Sequence, residues 1–455
     1  MIWTLSQFAA ACGGQLIGED RAFTEVVIDT RKLAAGELFA ALPGERLDGH
    51  QFVTDAAARG AAGAIVLRPL SPEQLPIPMA QIKVASVAGA LAAAARVART
   101  QFAGPVIGVA GSNGKTTVKE MTAAILSQRG PCLATRGNLN NHLGVPMTLL
   151  RLSPTHRSAV IEMGANRAGD VEQLLQMALP DIGLVTNAGA EHLEGFGSLE
   201  AVARAEGEML AGLPPGGTAI INADDPYAAL WRSSTSASVV RFGLLNEAEF
   251  HARSLHFTLD QHGFSTRFTL CAPSGSADVT LGLAGRHNVL NALAAAAAAT
   301  SAGATLTEVV AGLGGMRAVK GRLQLRRSRS GAWLIDDSYN ANPSSVSAGL
   351  AALRELPGRR WMVLGDMVEL GAFAADSHRE IGTLARSLGV ERLYTFGSLA
   401  GLAADSFGAG AERFDDANAL ARVLAAALDP DVLLLIKGSR VNRLERLVDA
   451  LAVPS

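Results

Sequence analysis

The chemistry of this chain is densest at Gly108-Val109-Ala110-Gly111-Ser112-Asn113-Gly114-Lys115-Thr116-Thr117, between the apolar run VIGVA and the helical run KTTVKEMTAAILSQ. Glycines let backbone N–H groups turn inward as an anion nest, and the following helix adds the positive end of its dipole. Lys115 can then reach β and γ phosphates while the Thr116 hydroxyl ligates Mg²⁺. Gly111, Ser112, Asn113, Gly114, Lys115, Thr116 and Thr117 are therefore expected to cradle a nucleotide. Val109 stands where a strict loop of this kind has its first glycine, so the bland alternative is a glycine-rich turn with an incidental lysine. A Mg²⁺-nucleotide also needs donors at neighbouring strand ends, and Glu162, closing SAVIE, and His192, just past DIGLVTN, are placed to supply them. Taken singly, a histidine such as His192 is more often a surface or hydrogen-bonded residue than a ligand, and only its company with the loop reverses that weight. Asn288 and Asn291 share one helix face, either as two amides for a purine edge or as the polar face of an alanine helix. Arg322, Asp337 and Asn342 fall at the start and first strand end of the last domain, where open sheets bind ligands.

These residues need rigid supports, and the surrounding pattern supplies them. PVIGVA, SAVIEMG and DIGLVTNAG are short apolar runs ending in polar or glycine residues, as parallel strands do when their carboxyl ends carry a site. The expected fold is α/β in three domains. Residues 1–82 form a small N-terminal α/β domain that closes in the proline-rich SPEQLPIP, read as a linker. Residues 83–312 open with a long alanine-rich helix and carry the P-loop on a parallel sheet. Residues 313–455 repeat the rhythm in WLIDDSYN, RRWMVLGDM, RLYTFG and DVLLLIKGSR, a Rossmann-like doubly wound domain without a G-x-G-x-x-G dinucleotide motif. The alanine run in NALAAAAAAT reads as helix propensity rather than as a functional signal.

A length of 455 residues suits about three domains of roughly 150 residues each. Lys plus Arg total 40 against 42 for Asp plus Glu, which leaves no basic footprint for nucleic acid or an anionic membrane. Cys12, Cys132 and Cys271 are far apart and odd in number, so no disulfide framework or zinc site is indicated and a reducing cytoplasm fits. The start, MIWTLSQFAAACGG, lacks the basic segment that export needs, and the longest alanine run falls short of the ~20 apolar residues of a membrane span.

In order along the chain, G-S-N-G-K-T-T, I-E-M-G-A-N, N-A-G-A-E-H-L-E-G-F-G, H-N-V-L-N-A, G-R, D-D-S-Y-N-A-N-P and K-G-S-R resemble the motifs of the ATP-dependent Mur ligases. GNLNNHLGVP, NANPSS and VLGDMVELG resemble the members that add D-alanyl-D-alanine to UDP-N-acetylmuramoyl-tripeptide (UDP-MurNAc-tripeptide) in peptidoglycan precursor synthesis, and no D-N-P-R acceptor motif is present. The resemblance implies ATP and Mg²⁺, a monomer, and an acyl-phosphate route. Lys115, Arg322 and His192 would be catalytic; Asn288 and Asn291 would meet adenine and Asp337 the ribose, with Asn342 closing over the nucleotide. Thr116, Glu162, His192 and Glu206 would hold metal. Glu206 stands where many relatives carry a carbamylated lysine, so it is either a native carboxylate substitute or a solvated helix residue beside Glu208. For the UDP-substrate the resemblance points to Thr30 and Arg31, with Asp29 and the loop Gly44, Asp48, Gly49 and His50, and to Asn138, Asn140 and Asn141. Asp29-Thr30-Arg31 is equally a plain turn. Asn342, Asp366 and Glu369 are the expected acceptor wall. A MurE-like ligase and folylpolyglutamate synthase are the near alternatives, and a P-loop regulatory NTPase is the distant one, disfavoured by the lack of an N-K-x-D motif.

Overall fold

The computed structural model describes residues 3–44, 47–191 and 193–453. The first sheet runs Gln15–Ile17, Ala80–Lys83, Gly63–Val66, Leu38–Ala40, Val26–Val27, parallel except for the first pair. The proline-rich stretch joins two neighbouring strands of this sheet, Gly63–Val66 and Ala80–Lys83, so it is an internal connection and not an interdomain linker. Passage to the next domain is made instead by the helix Val87–Thr100. Its apolar stripe, Val87, Ala90, Leu91, Ala94, Ala95 and Ala98, packs on helix Leu5–Cys12 and on helices Gly144–Leu149 and Asp170–Ala178. One apolar cluster therefore runs without a break from Trp3 to Trp231.

The central sheet is all parallel, in the order Ser238–Phe242, Thr218–Asn222, Ile182–Val185, Val106–Ala110, Ser158–Glu162, Cys132–Ala134. Its inner strands are continuous apolar runs because helices cover both faces. Val106–Ala110 lies between Ile182–Val185 and Ser158–Glu162, so three adjacent strand ends deliver Gly111, Thr186 and Glu162 to one place. Beyond it lies an antiparallel sheet, His251–Asp260, Gly263–Ala272 and Gly275–Leu281, which the reading of the sequence does not single out.

In the last domain the order is Gln324–Arg327, Trp333–Asp337, Val432–Lys437, Arg359–Gly365, Arg392–Phe396, Ala411–Phe414, with only the first pair antiparallel. Helices flank both faces, giving the doubly wound arrangement expected. The register pairs Asp337 with Lys437 at the carboxyl ends of adjacent strands. Among the described residues no helix is long and apolar enough to cross a membrane.

Candidate active site

The phosphate loop is built as its composition demands. Gly111 and Gly114 take φ of +119° and +86°, conformations that side chains resist. A Cβ on Gly111 would collide with Thr186 Oγ1, and one on Gly114 would stand 2.6 Å from Asn291 Oδ1. Val109 belongs to the buried strand, and the tight turn begins at Gly111, so the valine leaves the cradle intact. The segment after Ile182–Val185 braces the loop: Asn113 N–H donates to Asn187 Oδ1 (3.0 Å), and Asn187 Nδ2 returns a bond to Asn113 O (2.9 Å). Gly189 N–H donates to Ser112 Oγ (2.8 Å).

Lys115 Nζ donates to the carbonyls of Gly111 and Ser112 and to Glu191 Oε1 (3.2 Å). Burial works against its charge, yet Glu191, Glu206 and Glu162 outweigh burial and hold the amine above its ordinary value. Glu162 is 2% exposed; Oε1 accepts from Asn140 Nδ2 (2.9 Å), and Oε2 has no hydrogen-bond partner among the described residues. Its backbone N–H donates to Thr135 Oγ1 (3.0 Å), and Thr135 O in turn accepts from the fully buried Lys119 Nζ (2.7 Å).

Glu206 is 1% exposed, which rules out a solvated helix carboxylate. Oε2 accepts the Gly111 N–H at 2.7 Å, and Oε1 is unpartnered among the described residues. Burial pushes this carboxyl up to about 7 against the opposing pull of Lys115 and the Gly111 amide. It supports the phosphate loop and is not among the residues lining the cavity. Glu208 is also occupied, accepting the backbone N–H groups of Gly169 (2.7 Å) and Glu172 (3.0 Å). The expected metal ligand His192 lies outside the described residues.

The last domain docks onto this loop. Asn342 Nδ2 donates to Asn113 Oδ1 (3.0 Å), Asn113 Nδ2 donates to Ser344 Oγ (2.9 Å), and Arg322 Nη2 donates to Thr116 Oγ1 (3.0 Å). Asn342 also caps the helix Pro343–Arg354 through Oδ1, and the Arg322 guanidinium lies over Tyr339, 4.4 Å from the ring centroid. Asp337 Oδ2 pairs with Lys437 Nζ at 2.7 Å. Between the two domains lies a cavity of about 600 Å³. Ser112 to Thr117, Asn138, Asn140, Asn141, Glu162, Asn288, Asn291, Arg322, Asp337 and Asn342 all line it.

Other expectations are not brought there. Arg31, 86% exposed, forks onto Asp29 at 2.9 and 2.8 Å, and Thr30 is buried in the same turn. Asp48 takes His50 Nδ1 (2.7 Å), and His50 Nε2 accepts the Leu67 N–H (2.8 Å), so that loop is also self-satisfied. Asp366 Oδ1 accepts the Ala400 N–H (2.7 Å), and neither Asp366 nor Glu369, the expected acceptor residues, is among those lining this cavity. Glu369 instead offers its backbone carbonyl to the Glu194 N–H at 3.3 Å. Glu191, Lys437 and His287 also line the cavity, and all three sit inside quoted motifs without being singled out there. Burial, reinforced by Lys437 and opposed by Asp337, pushes the His287 imidazole down to about 4.

A phosphate cradle on a parallel sheet, roofed by a second open sheet that lends it an arginine, defines an ATP-using ligase architecture, and the chain belongs to the Mur ligase family. Three family models match in turn: the Mur ligase family catalytic domain over residues 22–99, the Mur ligase middle domain over 109–299, and the Mur ligase glutamate ligase domain over 321–440. The chain is 45% identical to the UDP-N-acetylmuramoyl-tripeptide–D-alanyl-D-alanine ligase of Escherichia coli strain K12, covering 98% of both chains. It superposes with a TM-score of 0.86 and 34% identity on the UDP-N-acetylmuramoylalanyl-D-glutamyl-2,6-diaminopimelate–D-alanyl-D-alanyl ligase of Acinetobacter baumannii, over 99% of this chain and 98% of that one. A MurF ligase of Thermotoga maritima, solved with ADP, matches at a TM-score of 0.82 and 28% identity over 94% and 96% of the two chains.

Proposed function

We propose that this chain joins D-alanyl-D-alanine to UDP-MurNAc-tripeptide at the expense of ATP. The observation that carries the reading is the shared cavity, where Lys115 and Thr116 from the loop, Glu162 and the Asn138–Asn141 amides from the central domain, and Arg322 from the last domain converge. The tripeptide carboxylate attacks the γ-phosphorus, ADP departs, and an acyl phosphate forms. The amine of D-alanyl-D-alanine then attacks the carbonyl carbon, loses a proton, and expels inorganic phosphate from a tetrahedral intermediate. Each step concentrates negative charge on phosphoryl or carbonyl oxygens, so fixed donors aimed at those oxygens are what the protein must supply. Lys115 and Arg322 are those donors, and the carboxylates around Lys115 keep it charged. Asn288 and Asn291 meet the adenine, and Asp337, fixed by Lys437, meets the ribose. Asn138, Asn140 and Asn141 hold the donor peptide end, while Thr30 and Arg31 hold the uridine end.

Mg²⁺ fits the residues present: the unpartnered Glu162 Oε2 and the Thr116 hydroxyl are hard oxygen donors, and bound there it would supply charge neutralisation of the phosphates. The three cysteines are free, in keeping with a cytoplasmic enzyme. Phosphate release by the purified protein with ATP, Mg²⁺ and UDP-MurNAc-tripeptide tests the reading. Release should depend on D-alanyl-D-alanine and not on single amino acids or glutamate; release without any acceptor would return the chain to a regulatory NTPase.

A further inference from the structure

Beside the main cavity lies a second one of about 300 Å³. Asn141, Gly164 and Asn166 line both, so the smaller space is an annexe, and Arg167, Asp170 and Gln173 form its far side. The wall between them is the segment leaving the strand Ser158–Glu162, which places the annexe two residues beyond the cavity carboxylate Glu162. Gly164 keeps the passage open, since a Cβ there would press on the Asn140 amide at 3.1 Å.

The polar groups of the annexe are unevenly occupied. Asp170 Oδ2 accepts the backbone N–H groups of Asn166 (2.9 Å) and Arg167 (3.1 Å), and Oδ1 takes Arg167 Nε at 3.3 Å. The helix that begins at Asp170 has its first amides satisfied by Glu208, so its N-terminus is not free to hold an anion. Arg167 is different: 81% exposed, it is oriented by Asp170 through Nε alone, and its two terminal nitrogens donate to nothing among the described residues. A guanidinium edge held this way matches the two oxygens of a carboxylate.

In the proposed reaction, on which this inference rests, the reacting carboxyl and the side chain of the third peptide residue hang from the same carbon. Whatever side chain that residue has must occupy space directly beside the phosphate end of the cavity. We infer that the annexe receives this side chain and that Arg167 selects one ending in a carboxylate. Diaminopimelate, a diamino dicarboxylic acid named in the Acinetobacter relative's substrate, carries such a carboxylate. Lysine ends in an ammonium alone, which Arg167 repels.

The test compares two UDP-MurNAc-tripeptides that differ only in carrying diaminopimelate or lysine as third residue, with ATP and D-alanyl-D-alanine, on wild type, Arg167→Met and Arg167→Lys. Wild type should favour diaminopimelate by at least about 10-fold in kcat/KM. Arg167→Met should collapse that ratio towards unity through the KM of the diaminopimelate substrate, with kcat within about threefold, and Arg167→Lys should retain an intermediate ratio. Equal losses on both substrates, or an unchanged ratio, would overturn the selector. Turnover of neither substrate by wild type would instead overturn the ligase reading, and this inference with it.

Discussion

In the first domain, Arg31 folds back on Asp29, and Asp48 and His50 complete each other and the Leu67 amide, so the polar groups there are spent on their neighbours. At the junction of the central and last domains, Glu162 and Glu206 each bury an oxygen that finds no partner among the described residues, beside a lysine compressed among carboxylates. Burying an unpaired polar oxygen costs about 1–3 kcal/mol, so a fold keeps such groups where something else completes them. The difference separates a loop whose charged side chains are already paired with one another from a cavity whose carboxylate Glu162 keeps an oxygen open to a ligand.

Lys115→Met is the most severe way to break this contrast. It removes the cation that the proposed reaction directs at the γ-phosphate and should lower kcat by about 10³-fold or more in the phosphate-release assay. It also leaves Glu191, Glu206 and Glu162 without their shared counter-charge, so thermal unfolding should show a loss that grows as pH rises past about 7, where Glu206 ionises. Full activity in the variant would dissolve the distinction between the two regions.

His287 gives a smaller effect with a definite sign. Its folded-state value near 4 lies below the ordinary histidine value of 6.5, so between those limits the unfolded chain binds a proton that the folded one refuses. Its contribution is complete above pH 6.5 and is lost as pH falls towards 4, to the extent of about 2 kcal/mol after allowance for water in the cavity. Glu206 acts oppositely, because its value near 7 makes ionisation destabilising as pH rises from 4.5. The wild-type profile therefore mixes two slopes, and the difference between wild type and His287→Asn across pH 4 to 7 isolates one. A difference that does not vary with pH would place His287 in solvent. Smallest of all is Arg31→Ala, which breaks an exposed, solvent-screened ion pair and should leave the urea unfolding midpoint essentially unchanged. Its effect should fall on the KM for the UDP-substrate and leave kcat alone, and a change confined to kcat would contradict the division of roles.

Local spacing made the phosphate loop legible, because strand, glycines, lysine and helix follow one another within about a dozen residues. The same holds for Asn288 with Asn291, three apart on one helix and both on the cavity wall. What spacing could not show is where a side chain finds its partner across the fold. Glu206 meets Gly111 from 95 residues away and so became loop support, while Asp366 spends an oxygen on Ala400, 34 residues further on. The proline-rich stretch was misleading for a related reason: prolines mark a break in regular structure, and here both sides of the break return to one sheet. The antiparallel sheet is legible in the alternation of LHFTLD, but it carries none of the residues that line the cavity.

The alanine helix Arg286–Ser301 turns out to matter for its blandness. From Ala294 to Ala299 every residue is at most 1% exposed, with the helix wedged between the P-loop helix Lys115–Leu126 and two sheets. No face has room for added volume, so the run acts as a gauge block whose thickness sets how far the helix stands from the loop. Its first turns carry His287, Asn288 and Asn291, and Asn291 already sits so close to Gly114 that a single methyl group there would collide with it. At about 1.5 Å of rise per residue, Ala296 lies only some 7 Å along the axis from Asn291. Residues with no chemistry of their own thus calibrate how far the Asn288 and Asn291 amides reach into the cavity, and a change of bulk in that run would be felt as a misfit at its wall.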